Sequence, residues 1–304
     1  MANIKLENLE IGGYHLYQDK NSFNFGIDAV LLANFVLRES FIGGAIQTVT
    51  VAKNLFPRSA KNKMTRKICD LCSGTLPIPL IIYAKSNLIT ELQKVNANLI
   101  SKSLSHNLTI DAFEIDENQV ELSNKSIIWN KENVLDAKNI DDDIKIFNDD
   151  IKNIILNKEK YKNLYESYDI VTVNPPYNKK GSGITNLDDK KTAARHEISI
   201  TFDEICKVAN LILKSNKKFY FIHQTNRFTE IIGTLKKYSF AAKKICFIHP
   251  YIDKPSNLFL VEAVKGGNEG VKVLSPIIIY NKDMTYTDEV LKIYGKWFIM
   301  LSKH

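Results

Sequence analysis

The chain has 304 residues, 44% of them hydrophobic, and a formal net charge of +7. This length and apolar content allow a buried core, either as one large α/β domain or as a domain with additions. No apolar run approaches the roughly 18 residues of a membrane-spanning helix, and no basic segment followed by an apolar one opens the chain. We therefore expect a cytoplasmic protein without a membrane partner. The positive charge favours nucleic acid as a partner, although a chain rich in Lys, Asn and Ile is also typical of an AT-rich genome.

Several kinds of site are excluded by the residues that they would need. Cys69 and Cys72 form a CxxC pair, but neither a second pair nor nearby histidines complete a zinc site, so we predict no metal. Cys69 lies inside the apolar run KICDL, which indicates a core residue rather than a redox thiol. The chain also has no catalytic triad and no phosphate-binding GxxxxGK[ST] loop.

The first predicted element is a helix near the amino terminus. In FNFGIDAVLLANFVL, apolar residues recur at helical spacing from about Ile27 to Leu37, and Asp28 is placed to open the helix. The segment from about 39 to 66 is irregular and ends in the basic stretch PRSAKNKMTRK. That pattern indicates an insertion that could face RNA.

Strands and helices alternate through the rest of the chain. We predict strands at about 67–71, 108–116, 144–150, 168–173, 217–224, 242–250 and 257–267. Helices are predicted from residue 77 onward through the amphipathic stretch 87–104, and at 118–130, 201–214 and 227–238. This alternation predicts a single doubly wound α/β domain with a mostly parallel sheet, and the two closing strands predict an antiparallel edge strand.

Acidic residues follow the first three predicted strands, at the edge where α/β sheets bind ligands. The first strand ends in Asp70 and a short turn in which Gly74 supplies conformational freedom, an arrangement typical of nucleoside cofactor sites. The second ends in Glu114, whose carboxylate could accept both hydroxyls of a ribose, whereas Asp116 is better placed to cap the next helix. The third ends in Asp149 and Asp150, either of which could meet an adenine amino group or cap a helix.

The fourth strand ends abruptly in Asn174-Pro175-Pro176-Tyr177, because consecutive prolines cannot continue a central strand. An Asn carbonyl and a prolyl carbonyl can both accept hydrogen bonds from an exocyclic amino group, which orients the lone pair of its nitrogen. The ring of Tyr177 can stack on the planar group that carries this amine. These properties suit methylation of an amine, which needs positioning rather than a strong base.

Acidic strand ends followed by NPPY resemble the class I S-adenosylmethionine-dependent amino-methyltransferases. NPPY is shared by N6-adenine DNA and RNA methyltransferases and by release-factor glutamine methyltransferases. The finer resemblance is to bacterial tRNA1(Val) adenine N6-methyltransferases, which modify the adenosine at tRNA position 37. It is carried by YQDKNSFNFGIDAVLLANFV, NPPYNKKGSG, KKTAARHEI and FIHPYIDKPSNLFLVEAVKGG, the last continuing to YTDEVLKIYG, and spans about residues 10 to 295.

The resemblance implies roles for individual residues. Asp70, Ser73 and Gly74 would line the methionine side of S-adenosylmethionine, Glu114 would bind its ribose and Asp150 its adenine. Asn174, Pro175, Pro176 and Tyr177 would hold the target adenine, and Asn174 would also lie near the cofactor. The amino-terminal segment, about 10–38, would pass close to the cofactor through Phe25 and Asp28.

This chain departs from the family at the turn after the first strand. Cys72 and Leu76 stand where the family turn, D-L-G-T-G-x-G, has glycines, so the affinity for the cofactor is one of the properties to test. Two apparent insertions, about 39–66 and 86–108, flank this turn.

A basic loop follows the NPPY motif and is predicted to contact tRNA phosphates. Its candidate contacts are Lys179, Lys180, Lys190, Lys191 and Arg195. No obligate protein partner is evident. Two alternatives remain: an amino-methyltransferase acting on rRNA, DNA or a release-factor glutamine, and a catalytically impaired homologue that only binds RNA.

Overall fold

The computed structural model describes residues 3–20, 26–41, 65–95, 107–176 and 200–294. The strands are β1 Ile4–Asn8, β2 His15–Asp19, β3 Thr65–Leu71, β4 Asn107–Glu114, β5 Ile144–Asn148, β6 Tyr168–Val173, β7 Leu213–Gln224, β8 Phe240–His249, β9 Leu258–Lys265, β10 Lys272–Val273 and β11 Ile277–Ile278. The helices are α1 Ile27–Val36, α2 Pro77–Val95, α3 Glu117–Asn133, α4 Ile140–Asp143, α5 Asn153–Leu156, α6 Lys158–Tyr161, α7 Phe202–Ile212, α8 Phe228–Lys237 and α9 Asp288–Ile293. A π-helical turn, Leu37–Phe41, continues α1.

The strands form a mixed sheet in the order β5-β4-β3-β6-β7-β9-β8, with β10 and β11 both paired to β8. All neighbouring pairs from β5 to β7 are parallel, whereas β9 runs antiparallel to both β7 and β8. The predicted doubly wound, mostly parallel sheet with an antiparallel strand is therefore confirmed. The antiparallel strand β9 lies between β7 and β8, in the interior of the sheet and not at its edge as predicted. A separate hairpin is formed by β1 and β2.

The sheet is buried on both faces, because residues of opposite parity on each central strand enter different apolar clusters. On one face, Ile68, Tyr220 and Leu260 belong to a cluster that includes the apolar residues of α1 and α2. On the other face, Leu71 and Phe221 belong to a cluster that includes those of α7 and α8. This two-sided burial explains the continuous apolar runs in the sequence.

A buried ionic network anchors the carboxyl end of α1 to the sheet. Glu39 and Glu262 are 7% and 3% exposed, and the ammonium group of Lys244 pairs with both carboxylates. Lys218 lies 2.9 Å from Glu262 and also donates to the backbone carbonyl of Glu39. Because each buried carboxylate has a cationic partner, the network fixes α1 against β7, β8 and β9.

The two predicted insertions, 39–66 and 86–108, are only partly within the described residues. Helix α2 runs without interruption from Pro77 to Val95, so the first residues of the predicted insertion 86–108 continue this helix. Residues 96–106 lie outside the described part of the chain, as does most of the predicted insertion 39–66. In the described part, residues 39–41 belong to the π-helical turn and residues 65–66 to β3.

Candidate active site

The carboxyl ends of β5, β4, β3 and β6 lie side by side, and the sequence-predicted acids converge there. Helices α2 and α3, which follow β3 and β4, contribute to one face of the sheet, whereas α7, which follows β6, packs on the other. The chain therefore leaves β3 and β6 towards opposite faces of the sheet, which is the topology that forms a ligand crevice in doubly wound folds. In doubly wound folds this switch point is where ligands bind.

Asp70 occupies the end of β3 and is almost completely buried, with 1% of its surface exposed. Its Oδ1 accepts a hydrogen bond from the hydroxyl of Thr172, its cross-strand neighbour on β6, whereas its buried Oδ2 has no partner among the described residues. Burial raises the pKa of Asp70 to about 8, although the bond from Thr172 acts in the opposite direction. An unsatisfied buried oxygen is costly, so this atom marks a place where a ligand donor fits.

Glu114 ties the end of β4 to the turn after β3. One carboxylate oxygen accepts the Gly74 amide at 2.8 Å, and the other accepts the amides of Ile115 and Asp116 at 2.9 Å each. Burial raises the pKa of Glu114, and the three backbone bonds oppose that rise. Since a carboxylate has about four acceptor positions, one remains for a ligand hydroxyl.

The remaining acids at these strand ends have local roles that distinguish them. Asp116 caps α3 by accepting the amides of Asn118 and Gln119, as predicted. Asp149 accepts hydrogen bonds from the side chains of Asn153, Lys160 and Tyr161, so its carboxylate is committed to the following helices. Asp150 accepts the backbone amide of Lys152 and pairs with the ammonium group of the same residue. Asp150 has fewer hydrogen-bond donors than Asp149, which leaves it the better placed of the pair for a ligand.

The turn of residues 72–76, which we name the cofactor turn after its predicted role, has positive φ at three positions, two of which are not glycine. Cys72, Gly74 and Leu76 have φ of 57°, 56° and 71°, all in the left-handed region that glycine adopts most easily. The Leu76 side chain is fully buried in the apolar cluster that includes residues of α1 and α2. Leu76 therefore packs into the core, and the turn follows a left-handed path at the cost of backbone strain.

Asn174 follows directly after β6 and links this switch point to α1. Its Nδ2 donates to Oδ2 of Asp28, the second residue of α1, over 3.1 Å. Pro175 is buried and Pro176 is exposed, so the chain reaches the surface two residues after Asn174. The structure thus brings Asp28, Asp70, Glu114, Asp150 and Asn174 to one edge of the sheet.

Several predicted site residues lie outside the described part of the chain. They are Phe25, Tyr177 and the basic-loop residues Lys179, Lys180, Lys190, Lys191 and Arg195. Their roles remain predictions.

The site contains one residue that the sequence analysis missed. Thr172 holds Asp70 from the neighbouring strand, and a Thr two residues before Asn174 was the available signal. Thr172 can contact Asp70 only because β6 pairs with β3, and the local sequence does not indicate which strands pair.

The described residues contain neither a candidate metal site nor a membrane-spanning helix. Within them, no group of three or more His, Cys, Asp or Glu side chains could hold a metal ion. Among the helices of the same ranges, none is long and apolar enough to cross a membrane.

Solved structures share this architecture. A predicted O-methyltransferase from Agrobacterium tumefaciens is 16% identical, with a TM-score of 0.55 over 88% of this chain and 95% of that one. A modification subunit assigned to a type I restriction enzyme from Vibrio vulnificus is 11% identical, with a TM-score of 0.50 over 92% of this chain and 53% of the subunit. This chain therefore spans about half the length of that subunit.

The sheet order and these similarities define a Rossmann-like α/β fold of the class I S-adenosylmethionine-dependent methyltransferases. No family model matches the chain. No curated protein matches it significantly either. The fold is therefore established by structure, whereas the substrate must be argued from the site.

Proposed function

We propose that this protein transfers the methyl group of S-adenosylmethionine to the exocyclic N6 amine of an adenosine in tRNA, with adenosine 37 of tRNA1(Val) as the target. The observation that carries the proposal is the position of Asn174. It ends β6 directly beside the switch point of the sheet and is held in place by Asp28. An amide fixed at this point is suited to receive an amino group.

The strand ends beside Asn174 carry hydrogen-bond acceptors that suit the cofactor. Asp70 offers a buried oxygen that no described residue satisfies, and Glu114 and Asp150 are carboxylates on the two next strand ends. Carboxylates suit a ligand that carries positive charge and hydroxyl groups. When bound, S-adenosylmethionine supplies an electrophilic methyl group.

The protein's part in the reaction is to orient the amine. The Asn174 carbonyl accepts a hydrogen bond from the amino group and directs the nitrogen lone pair towards the methyl carbon. S-adenosylmethionine would supply the methyl carbon for the new nitrogen–carbon bond, with its sulfur as the leaving group, and the amine would lose its proton to solvent. Because the attacking amine needs only orientation, a strong base is not part of this mechanism.

The choice of tRNA is supported by the sequence. The net charge of +7 and the basic loop after NPPY both favour a polyanionic substrate. The stretches that resemble the tRNA1(Val) enzymes are distributed over about residues 10 to 295 and include the segment after NPPY. The adenosine would have to leave the anticodon-loop stack to reach the crevice.

Two measurements test the proposal. Calorimetric titration with S-adenosylmethionine should show saturable 1:1 binding, and labelled methyl groups should be transferred to unmodified tRNA1(Val). The same tRNA with guanosine at position 37 is the matched control and should remain unlabelled. Cofactor binding without transfer to tRNA would redirect the search to rRNA, DNA or release-factor glutamine.

A second candidate, an RNA-binding protein without catalysis, is motivated by Cys72 and Leu76 in the cofactor turn. Titration of the cofactor in the presence and absence of tRNA separates it from the first. Binding in neither case would favour the non-catalytic protein, whereas binding only with tRNA would indicate a cofactor site that RNA completes.

A further inference from the structure

The bond between Asp28 and Asn174 links two segments that are 146 residues apart in the sequence. Asp28 is 8% exposed, and its Oδ1 accepts the backbone amide of Ala29 at 3.0 Å while its Oδ2 accepts the Asn174 amide. An amide group is planar, so binding of Nδ2 to Asp28 turns the carbonyl Oδ1 of Asn174 away from the carboxylate. The first turn of α1 therefore takes part in orienting the Asn174 amide.

Two further features hold the Asp28 carboxylate in place. A Cβ atom at position 26 would lie only 2.8 Å from Oδ1 of Asp28, so Gly26 leaves the space that the carboxylate occupies. At the other end of the same helix, Glu39 is bound to the sheet through Lys244. Helix α1 is thus fixed at one end, and its first turn presents an acid to the loop after β6.

We propose that Asp28 is a positioning residue for methyl transfer, acting through Asn174 rather than as a contact of the cofactor. It locks the Asn174 amide so that the carbonyl faces the target amine, and its charge stabilises the positive charge that develops on the amine nitrogen. This inference rests on the proposed function. It differs from the role near the cofactor that the family resemblance implies for Asp28.

Asp28 would act on the reacting nitrogen through the Asn174 amide group, which lies between the carboxylate and the amine. As the nitrogen–carbon bond forms, the nitrogen becomes positive until its proton leaves to solvent. A carboxylate that accepts from Nδ2 polarises the amide, which makes the carbonyl oxygen a stronger acceptor for the amine hydrogens. The group is already oriented before the reaction, so its effect appears in the transition state.

The first test measures the bond without any catalysis. In protein labelled with ¹⁵N-asparagine, the Nδ2 protons of Asn174 are assigned by the loss of their signal in Asn174→Ala. We expect one of them to be shifted downfield and slow to exchange in the parent, and to lose both properties in Asp28→Ala. A signal unaffected by Asp28→Ala would overturn the inference whatever the substrate is.

The second test separates catalysis from binding. Asp28→Asn keeps an oxygen acceptor and should lower kcat by about 10-fold, whereas Asp28→Ala should lower it by about 100-fold. Gly26→Ala should resemble Asp28→Asn, because it displaces the carboxylate without changing its chemistry. In all three variants the Kd for S-adenosylmethionine and the KM for tRNA should stay within about 3-fold of the parent.

Asp203→Asn is the matched control, because it removes a carboxylate that pairs with Lys237 on the surface and should leave kcat unchanged. Weaker cofactor binding with unchanged kcat in Asp28→Ala would show a cofactor contact and overturn the inference. Equal losses of kcat in Asp28→Ala and Asp28→Asn would contradict the inference that the oxygen acceptor at position 28 contributes to kcat. A parent that transfers no methyl group to tRNA, yet shows the protected Asn174 signal, would contradict the proposed function and leave the Asp28–Asn174 bond established.

Discussion

The backbone amide of Gly74 donates a hydrogen bond of 2.8 Å to the carboxylate of Glu114, joining the cofactor turn to the end of the neighbouring strand. The same carboxylate accepts two further backbone amides, so one buried side chain organises both strand ends. Its removal should therefore affect folding.

Replacing Glu114 should therefore destabilise the protein. Glu114→Ala leaves three backbone amides without their acceptor, and we expect the free energy of unfolding to fall by about 3 kcal/mol. Glu114→Gln keeps an oxygen acceptor and should cost about half as much. Urea denaturation measures both values. The exposed Glu117→Ala serves as control and should change stability by about 0.5 kcal/mol or less, and an equally small effect of Glu114→Ala would show that the carboxylate does not organise the turn.

Asp70 should make stability depend on pH. Burial raises its pKa from 3.8 to about 8 in the folded protein. Between these values the unfolded chain has released a proton that the folded chain retains, so stability falls as pH rises through this window. Asp70→Asn removes the dependence, and its Tm relative to the parent should be higher at pH 8 than at pH 5.

The control for this prediction is Asp203→Asn. Hydrogen bonds from Lys237 and Tyr238 lower the pKa of Asp203, so its contribution to stability changes only at more acidic pH. Its Tm difference from the parent should be the same at pH 5 and pH 8. A flat Tm difference for Asp70→Asn would mean that the Asp70 carboxyl titrates normally in the folded state.

The cofactor turn allows strain and burial to be compared. Cys72 and Leu76 both have positive φ, which costs roughly 1–2 kcal/mol in a residue other than glycine. Cys72→Gly should therefore raise the free energy of unfolding by up to about 1 kcal/mol. Leu76→Gly relieves the same strain but empties a fully buried site, a loss of about 2–5 kcal/mol, so it should be destabilising on balance.

Gly74→Ala is the opposite change, because it removes a glycine from the cofactor turn. It would introduce strain at φ 56° and bring a Cβ within 3.1 Å of the Gln119 side chain, so we expect a loss of about 1 kcal/mol. Urea unfolding of the three variants gives the comparison. Destabilisation by Cys72→Gly as large as that by Leu76→Gly would show that strain in this turn is negligible.

Asn174→Ala should abolish methyl transfer and leave the affinity for S-adenosylmethionine nearly unchanged, because Asn174 would hold the amine. Transfer is measured with labelled cofactor and affinity by calorimetry. Asn133→Ala, on the exposed side of α3, is the control and should retain full activity. Transfer that persists in Asn174→Ala would place the amine site elsewhere.

The basic loop should govern affinity for tRNA. Glutamate at positions 179, 180, 190, 191 and 195 should weaken tRNA binding and make it less dependent on salt, with the slope falling by about 0.7–0.9 for each phosphate that the loop no longer neutralises. Cofactor affinity should not change. Glutamate at five exposed lysines outside the loop, at positions 138, 162, 236, 272 and 282, makes the same change in net charge and is the control; equal weakening by both sets would show that the loop has no special role.

Local pattern in the sequence was sufficient for much of the fold and for several site residues. The 3.6-residue and two-residue periodicities report which side chains face the core, so the βα alternation, the capping role of Asp116 and the acids at strand ends were predictable. The end of β6 at Asn174 followed from the prolines, because proline lacks the amide that a ladder needs. These are properties of neighbours along the chain.

The tertiary structure alone decided which strand ends meet. Thr172 holds Asp70 across 102 residues of sequence because β6 pairs with β3, and Asp28 reaches Asn174 because a buried ionic network fixes α1 against the sheet. The position of β9 between β7 and β8 is likewise visible only in the tertiary structure. Strand order depends on the burial that distant segments share, and a periodicity that identifies the buried face of a strand does not identify its partner.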